Sequence, residues 1–179
     1  MRQTRALAAL TAGLVSGAAT TATMLLVANG LLSPLPGGIR YGAFFTLVAM
    51  GMLREVGLEP LPFPQVRRQV PREVFEDSIL TGALRFGFEL GLGFRTYVTT
   101  SSAYVLAGGV ALLPAGMATA VAAAVGFGVG RAATAWVRYW SRRGEGWDEA
   151  LRGMLMWFKP LSVPLVVAGL LVGFVAGKA

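Results

Sequence analysis

Cysteine and histidine are both missing from this chain. Their absence excludes disulfide staples, thiol redox chemistry, haem ligation through histidine and the usual zinc sites. Charge is scarce too: 14% of the residues are Asp, Glu, Lys or Arg, against about 25% in an ordinary soluble domain. With so little catalytic chemistry, the sequence predicts no enzyme, no metal and no cofactor. What is abundant is apolar surface, 55% of the 179 residues, together with 24 glycines. The apolar residues fall in long blocks rather than in a helical or strand alternation, so a bilayer takes that surface. The expected fold is all-α, a polytopic helical membrane protein. The net charge of +7 does not point to nucleic acid, because the cations gather between the apolar blocks, where topology explains them.

Five spans are predicted, at about 7–32, 41–58, 90–113, 117–137 and 161–177, in one integral membrane domain covering 1–179. The first carries Arg2 and Arg5 ahead of a run too long for a signal peptide, with no clear A-x-A site at its end. SPLPGGIR then makes a turn, and the second span must snorkel Arg40 and Arg54 at its ends. A connector at 59–77 holds Pro60, Pro62, Pro64 and Pro71 with Arg67, Arg68 and Arg72, and an interfacial helix at 72–89 opens with Glu73, Glu76 and Asp77. The loop at 138–160 carries Arg138, Arg142, Arg143, Arg152 and Lys159, and all four tryptophans lie in or beside it. Arg2 and Arg5 join these two basic loops on one side, leaving Arg40 and Lys178 on the other. The N-terminus is therefore expected in the cytoplasm of a bacterial-type inner membrane. The last span has Pro164 in its first turn, where proline is tolerated.

Residues 78–113 are apolar enough to cross, yet they carry Arg85, Glu89 and Arg95 and then Thr96, Thr99, Thr100, Ser101 and Ser102. If this stretch crosses twice, at the hydroxyl run, there are six spans, but the second basic loop then falls outside. Gly87, Gly91 and Gly93 mark a hinge before the crossing part. Glu89 is costly in a membrane unless paired; Arg85, one turn away, offers a pair at headgroup level. The sharper reading makes Glu89 a proton or cation site with Arg95 as counter-charge. Thr20, Thr21 and Thr23 on the first span, with Thr96, Thr99, Thr100, Ser101 and Ser102, either line a polar substrate path or bond neighbouring carbonyls.

Sliding the chain by about 78 residues brings Gly13 over Gly91, Thr21 over Thr99 and Gly30 over Gly108. LPGG at 35–38 then meets LPAG at 113–116, and GMLR at 51–54 meets GVGR at 128–131 after one residue of slip. This predicts a two-helix unit used twice. The small-residue spacings at Gly13 and Gly17, Gly87 and Gly91, Gly126 and Gly130, and Gly169 and Gly173 predict close helix approach. GFGVGR is no phosphate loop, since it lies inside an apolar span without the strand and lysine such a loop needs.

The entry GFELGLGFRTYVTTSS, followed by a span, an LP-x-G turn and a returning helix ending GVGRA, resembles half-repeats of the small bacterial thiol-reductant transporters of cytochrome c maturation and the related amino-acid exporters. That resemblance implies a helix broken near mid-membrane at the centre of a site. The proline and cysteine that follow the glycines in the thiol-reductant family are missing here, so electron relay is excluded and only architecture carries over. The function expected on this reading is a small transporter or exporter, working as a homo-oligomer in the lipid bilayer. The alternative is a non-catalytic subunit docked among partner membrane subunits.

Overall fold

Long Ala-, Leu- and Val-rich runs satisfy their backbone groups internally only as helices when no water is at hand. The computed structural model describes residues 2–58, 78–93, 100–114, 116–141 and 146–176. Six helices run through them in the order α1 (Arg2–Leu32), α2 (Gly37–Glu55), α3 (Ile79–Gly91), α4 (Ser102–Leu112), α5 (Met117–Ser141) and α6 (Gly146–Ala176). No strand is present among the described residues. Two helices, over Gln3–Leu32 and Met117–Ser141, are long and apolar enough to cross a membrane. Of their apolar windows, 28% and 22% are buried against the rest of the chain. Ser102–Leu112 and Pro160–Gly173 are shorter apolar helices.

Several boundaries differ from expectation. Residues 90–113 do not form one helix: α3 ends at Gly91, and Gly93 takes φ 74°, the left-handed residue that closes a helix after its cap. The Leu92 and Gly93 amides bond back to Phe88 and Leu90. Nor does a helix run unbroken over 72–89, because Ser78 is extended and its hydroxyl accepts from the Thr81 amide, capping α3; residues 59–77, with the expected connector, lie outside the described residues. α2 starts after Pro36 and stops at Glu55, where Gly57 (φ 78°) donates to Arg54 O and Leu58 to Leu53 O. That pair of bonds is the Schellman closure. The loop expected at 138–160 is helical where described, and α6 runs through both Pro160 and Pro164. Pro164 is thus interior rather than in a first turn.

The chain divides into two units. The first holds α1 up to Thr21, α3, and α5 from Ala124. Here α1 and α3 run parallel with almost no side chain between them. A Cβ on Gly13 would collide with Leu84 O, one on Gly17 with Phe88 O, one on Gly87 with Leu10 O and one on Gly91 with Leu14 O. The contacts are reciprocal, backbone against backbone, a geometry that favours weak Cα–H···O bonds between helices. α5 packs antiparallel on the same part of α1: a Cβ on Gly128 would lie 2.9 Å from Val15 Cα, and Trp136 Nε1 donates to Thr11 Oγ1 at 3.0 Å.

The second unit holds α1 from Ala22, α2, α4, α5 to Ala123 and α6 from Glu149. Its core is Phe44, Val105, Leu113, Val163 and Leu170. α2 lies antiparallel to α4, with Gly51 seated against Ser101 and Val105, and Leu47 against Gly108. α6 follows α4 in the same direction, Leu170 filling the space over Gly109.

The glycine contacts make a differential prediction. Gly13→Ala or Gly87→Ala forces α1 and α3 apart and is expected to cost about 1–3 kcal/mol or more. Gly126→Ala meets nothing within 4 Å and should stay within about 1 kcal/mol of the parent, or gain from better helix propensity. Thermal unfolding of the purified chain in detergent reads both, and equal melting of all three variants would refute the close approach.

Candidate functional site

Polar side chains in an apolar helical unit are expensive unless each finds a partner. In the second unit they collect at the two ends of α4. The last carbonyls of any helix lack an internal donor, and α4 stops because Leu113 turns extended before Pro114. Asn29, near the end of α1, donates through Nδ2 to Val110 O and Leu113 O. Arg40, in the first turns of α2, donates through Nε to Leu112 O at 2.8 Å, and through Nη2 to Asn29 Oδ1 at 3.3 Å and Leu113 O at 3.4 Å. A fixed cation at a helix C-terminus is also what the helix dipole favours.

At the other end the sign is reversed. Glu55, the last residue of α2, accepts the Ser101 amide through Oε1. Ser101 caps α4 and is 1% exposed, and its hydroxyl has no hydrogen-bond partner among the described residues. Thr100 and Ser102 bond each other across it, hydroxyl to hydroxyl, at 2.6 Å. One helix, α2, therefore presents an arginine to the negative end of α4 and a glutamate to its positive end. This is a clamp, and its chemistry is positional: it fixes α4 lengthwise against α2. Among the described residues no group of three or more His, Asp or Glu could hold a metal ion.

The residues singled out from sequence are distributed as follows. Thr20 bonds its own helix at Ser16 O, 2.9 Å, and Thr21 reaches Leu92 O at 3.0 Å. Thr23 is exposed on α1, and Glu89 is half-buried in α3. Arg95, Thr96 and Thr99 lie outside the described residues. Thr100, Ser101 and Ser102 come together at the start of α4. Gly13, Gly17, Gly87 and Gly91 sit at the α1–α3 contact, Gly173 faces Thr119, and a Cβ on Gly126, Gly130 or Gly169 meets nothing within 4 Å. Sequence reasoning missed Asn29 and Glu55, and it read Arg40 only as a span edge. A lone Asn inside an apolar run, and an acid directly before a Val-Gly helix stop, were the available signals.

No protein-family model matches the chain, and no solved structure does so significantly. Curated relatives do match. The protein of Methylophilus methylotrophus is 38% identical over 82 residues, 44% of this chain and 28% of its own length. That of Methylorubrum extorquens is 33% identical over 125 residues, 66% and 42%, and that of Paracoccus versutus 32% over 118, 59% and 42%. All three are named methylamine utilization protein MauF. The match spans at most about two-fifths of these relatives' length. It overturns both the resemblance to thiol-reductant transporters and amino-acid exporters and the transport function inferred with it; the alternative of a docked membrane subunit gains nothing from it either. Glycine-rich helices and Leu-Pro turns are demanded by close packing and chain reversal in many membrane helices, so they did not discriminate between families.

The clamp is tested by truncation at each end. Arg40→Ala strips donors from the C-terminal carbonyls of α4 and is expected to cost about 2–3 kcal/mol. Glu55→Gln keeps an acceptor for the Ser101 amide, so it should destabilise less than Glu55→Ala. Tryptophan-detected thermal unfolding in detergent gives the order, and an Arg40→Ala variant that melts with the parent would dissolve the clamp.

Proposed function

We propose that this chain serves methylamine utilization as a multi-pass membrane protein in an accessory, non-catalytic capacity. The observation that carries the reading is the 33% identity over 125 residues to the MauF protein of Methylorubrum extorquens. A chain without Cys or His has few means of doing bond chemistry itself, which favours an accessory role.

About five crossings with a cytoplasmic N-terminus fit the basic loops, in an inner membrane. α3 and α4, at 13 and 11 residues, are each shorter than the ~20 needed to cross alone, and the charge rule favours one crossing for 78–113. A two-helix repeat is also part of the reading, with Gly128 of α5 seated on α1 in the first unit and Gly51 of α2 on α4 in the second, against partner positions that the offset of about 78 does not superpose. Open glycines at 126, 130 and 169 leave faces where the helix of a second copy fits, so self-association within the bilayer is part of the reading.

The test is a chimera. In a methylotroph deleted for its own MauF, the 125-residue stretch that aligns with this chain is replaced by this chain's residues, and growth is followed with methylamine as the sole substrate. Restored growth on methylamine, with growth on an unrelated carbon source unaffected by either the deletion or the chimera, is the expected result. A chimera that is stably inserted in the membrane yet leaves methylamine growth at the level of the deletion would overturn the proposal.

A further inference from the structure

The first unit ends where the start of α1 meets the end of α5, and the aromatic side chains there differ in how their polar atoms are satisfied. Trp136 Nε1 donates to Thr11 Oγ1 at 3.0 Å, and Thr11 donates in turn to Leu7 O at 2.8 Å. That indole is half-buried and has no need of water. One turn further out the situation changes. Tyr139 Oη and Thr4 Oγ1 lie 3.5 Å apart on exposed residues. Trp140 is 69% exposed: its ring leans on Trp136 at a centroid distance of 5.4 Å, while its indole N–H has no acceptor among the described residues.

Deeper along α5 the exposed positions of this unit are Val125, Gly126, Val129, Gly130 and Ala133, with Thr134, whose hydroxyl bonds Arg131 O. Arg131 itself is half-buried over the Phe127 ring. The exposed surface therefore passes from apolar to polar-tipped over about two turns of helix. An indole whose N–H is met by protein suits hydrocarbon, whereas one whose N–H is open is costly there. It is equally ill placed in bulk water, where its apolar ring stays uncovered. Indole and phenol rings settle between the two, at the level where lipid ester and phosphate oxygens begin.

We propose that Trp140 and Tyr139 seat in the ester and headgroup layer of a phospholipid bilayer, so that the membrane boundary crosses the first unit at Thr4, Tyr139 and Trp140, with Trp136 one turn inside it. The recognition needs no charge. Trp140 donates its indole N–H to an ester or phosphate oxygen and lays its ring along the glycerol and first methylenes, so a zwitterionic lipid serves. Counted back along α5 from Trp140, the ~20 residues that cross a hydrocarbon core end near Val121, which is itself exposed. The inference rests on the membrane part of the proposed function and is independent of methylamine, so a failed chimera would not touch it.

The experiment labels the four tryptophans of the full chain with fluorotryptophan and reconstitutes it into phosphatidylcholine vesicles that carry a spin label either at the headgroup or at the acyl terminus. Trp140→Phe and Trp136→Phe each remove one fluorine resonance and so assign it; Trp140→Tyr assigns the first if the Phe variant melts early. The headgroup label should erase the Trp140 resonance and broaden that of Trp136 less, and the acyl-terminus label should leave Trp140 narrow. Two results, in vesicles that carry the protein on flotation, would overturn the proposal and leave the membrane reading standing. One is a Trp140 resonance erased by the acyl-terminus label. The other is a Trp140 resonance untouched by both lipid labels yet erased by a water-soluble relaxation agent. A chain that does not float with the vesicles would overturn both.

Discussion

A helix end inside an apolar unit must have its orphan backbone groups satisfied by something other than water, and for α4 that something is α2. α4 is short and apolar, and its hydrophobic contacts with Phe44, Val163 and Leu170 would tolerate sliding. Arg40 and Asn29 on the last carbonyls, and Glu55 on the Ser101 amide, do not. Hydrogen bonds are directional where apolar packing is not, so the position of α4 along α2 is set at its ends and then filled in by the core. The seats of Gly51 over Ser101 and Val105, and of Gly108 beside Leu47, exist only in that position.

The first unit adds direct backbone contact to its few side-chain hydrogen bonds, Thr21 Oγ1 to Leu92 O and Trp136 Nε1 to Thr11 Oγ1. At the α1–α3 contact apolar side chains supply little of the attraction, since backbone faces backbone there. What remains is close van der Waals contact, and Gly13, Gly17, Gly87 and Gly91 permit it by exposing backbone to backbone. Both units thus combine glycine contacts with interhelical hydrogen bonds, the first setting glycine against backbone and the second tying down the ends of α4.

Much of the helical plan was legible in the sequence because local signals mark it: Pro36 and Gly57 bracket α2, and Leu113 with Pro114 ends α4. The α1–α3 contact was visible as a small-residue spacing, but the same spacing at Gly126 and Gly130 leads to open surface, since spacing says that a close approach is possible and not what is opposite. α6 was hidden by its length: Pro164 was read in the first turn of a short last span, whereas the helix begins at Gly146 and runs through both Pro160 and Pro164. The clamp was hidden for a different reason. Arg40 and Glu55 look like ordinary charged flanks of a short span, and only the antiparallel placement of α2 on α4 turns those flanks into partners for a helix that lies some 50 to 70 positions further along the chain.

That placement makes α2 a ruler. The backbone between Arg40 and Glu55 measures roughly 22 Å at 1.5 Å per residue, and the distance between the ends of α4 must agree with it. A residue inserted in or deleted from either helix would shift one charged end by about 1.5 Å and rotate it by about 100°, taking it off its target while the other end stays in place. Changes in length should therefore accumulate outside the pair, as in the Ser33–Pro36 turn, whereas α2 and α4 can change length only together. Among descendants of this sequence, the number of residues between Arg40 and Glu55 should drift far more slowly than the residues themselves.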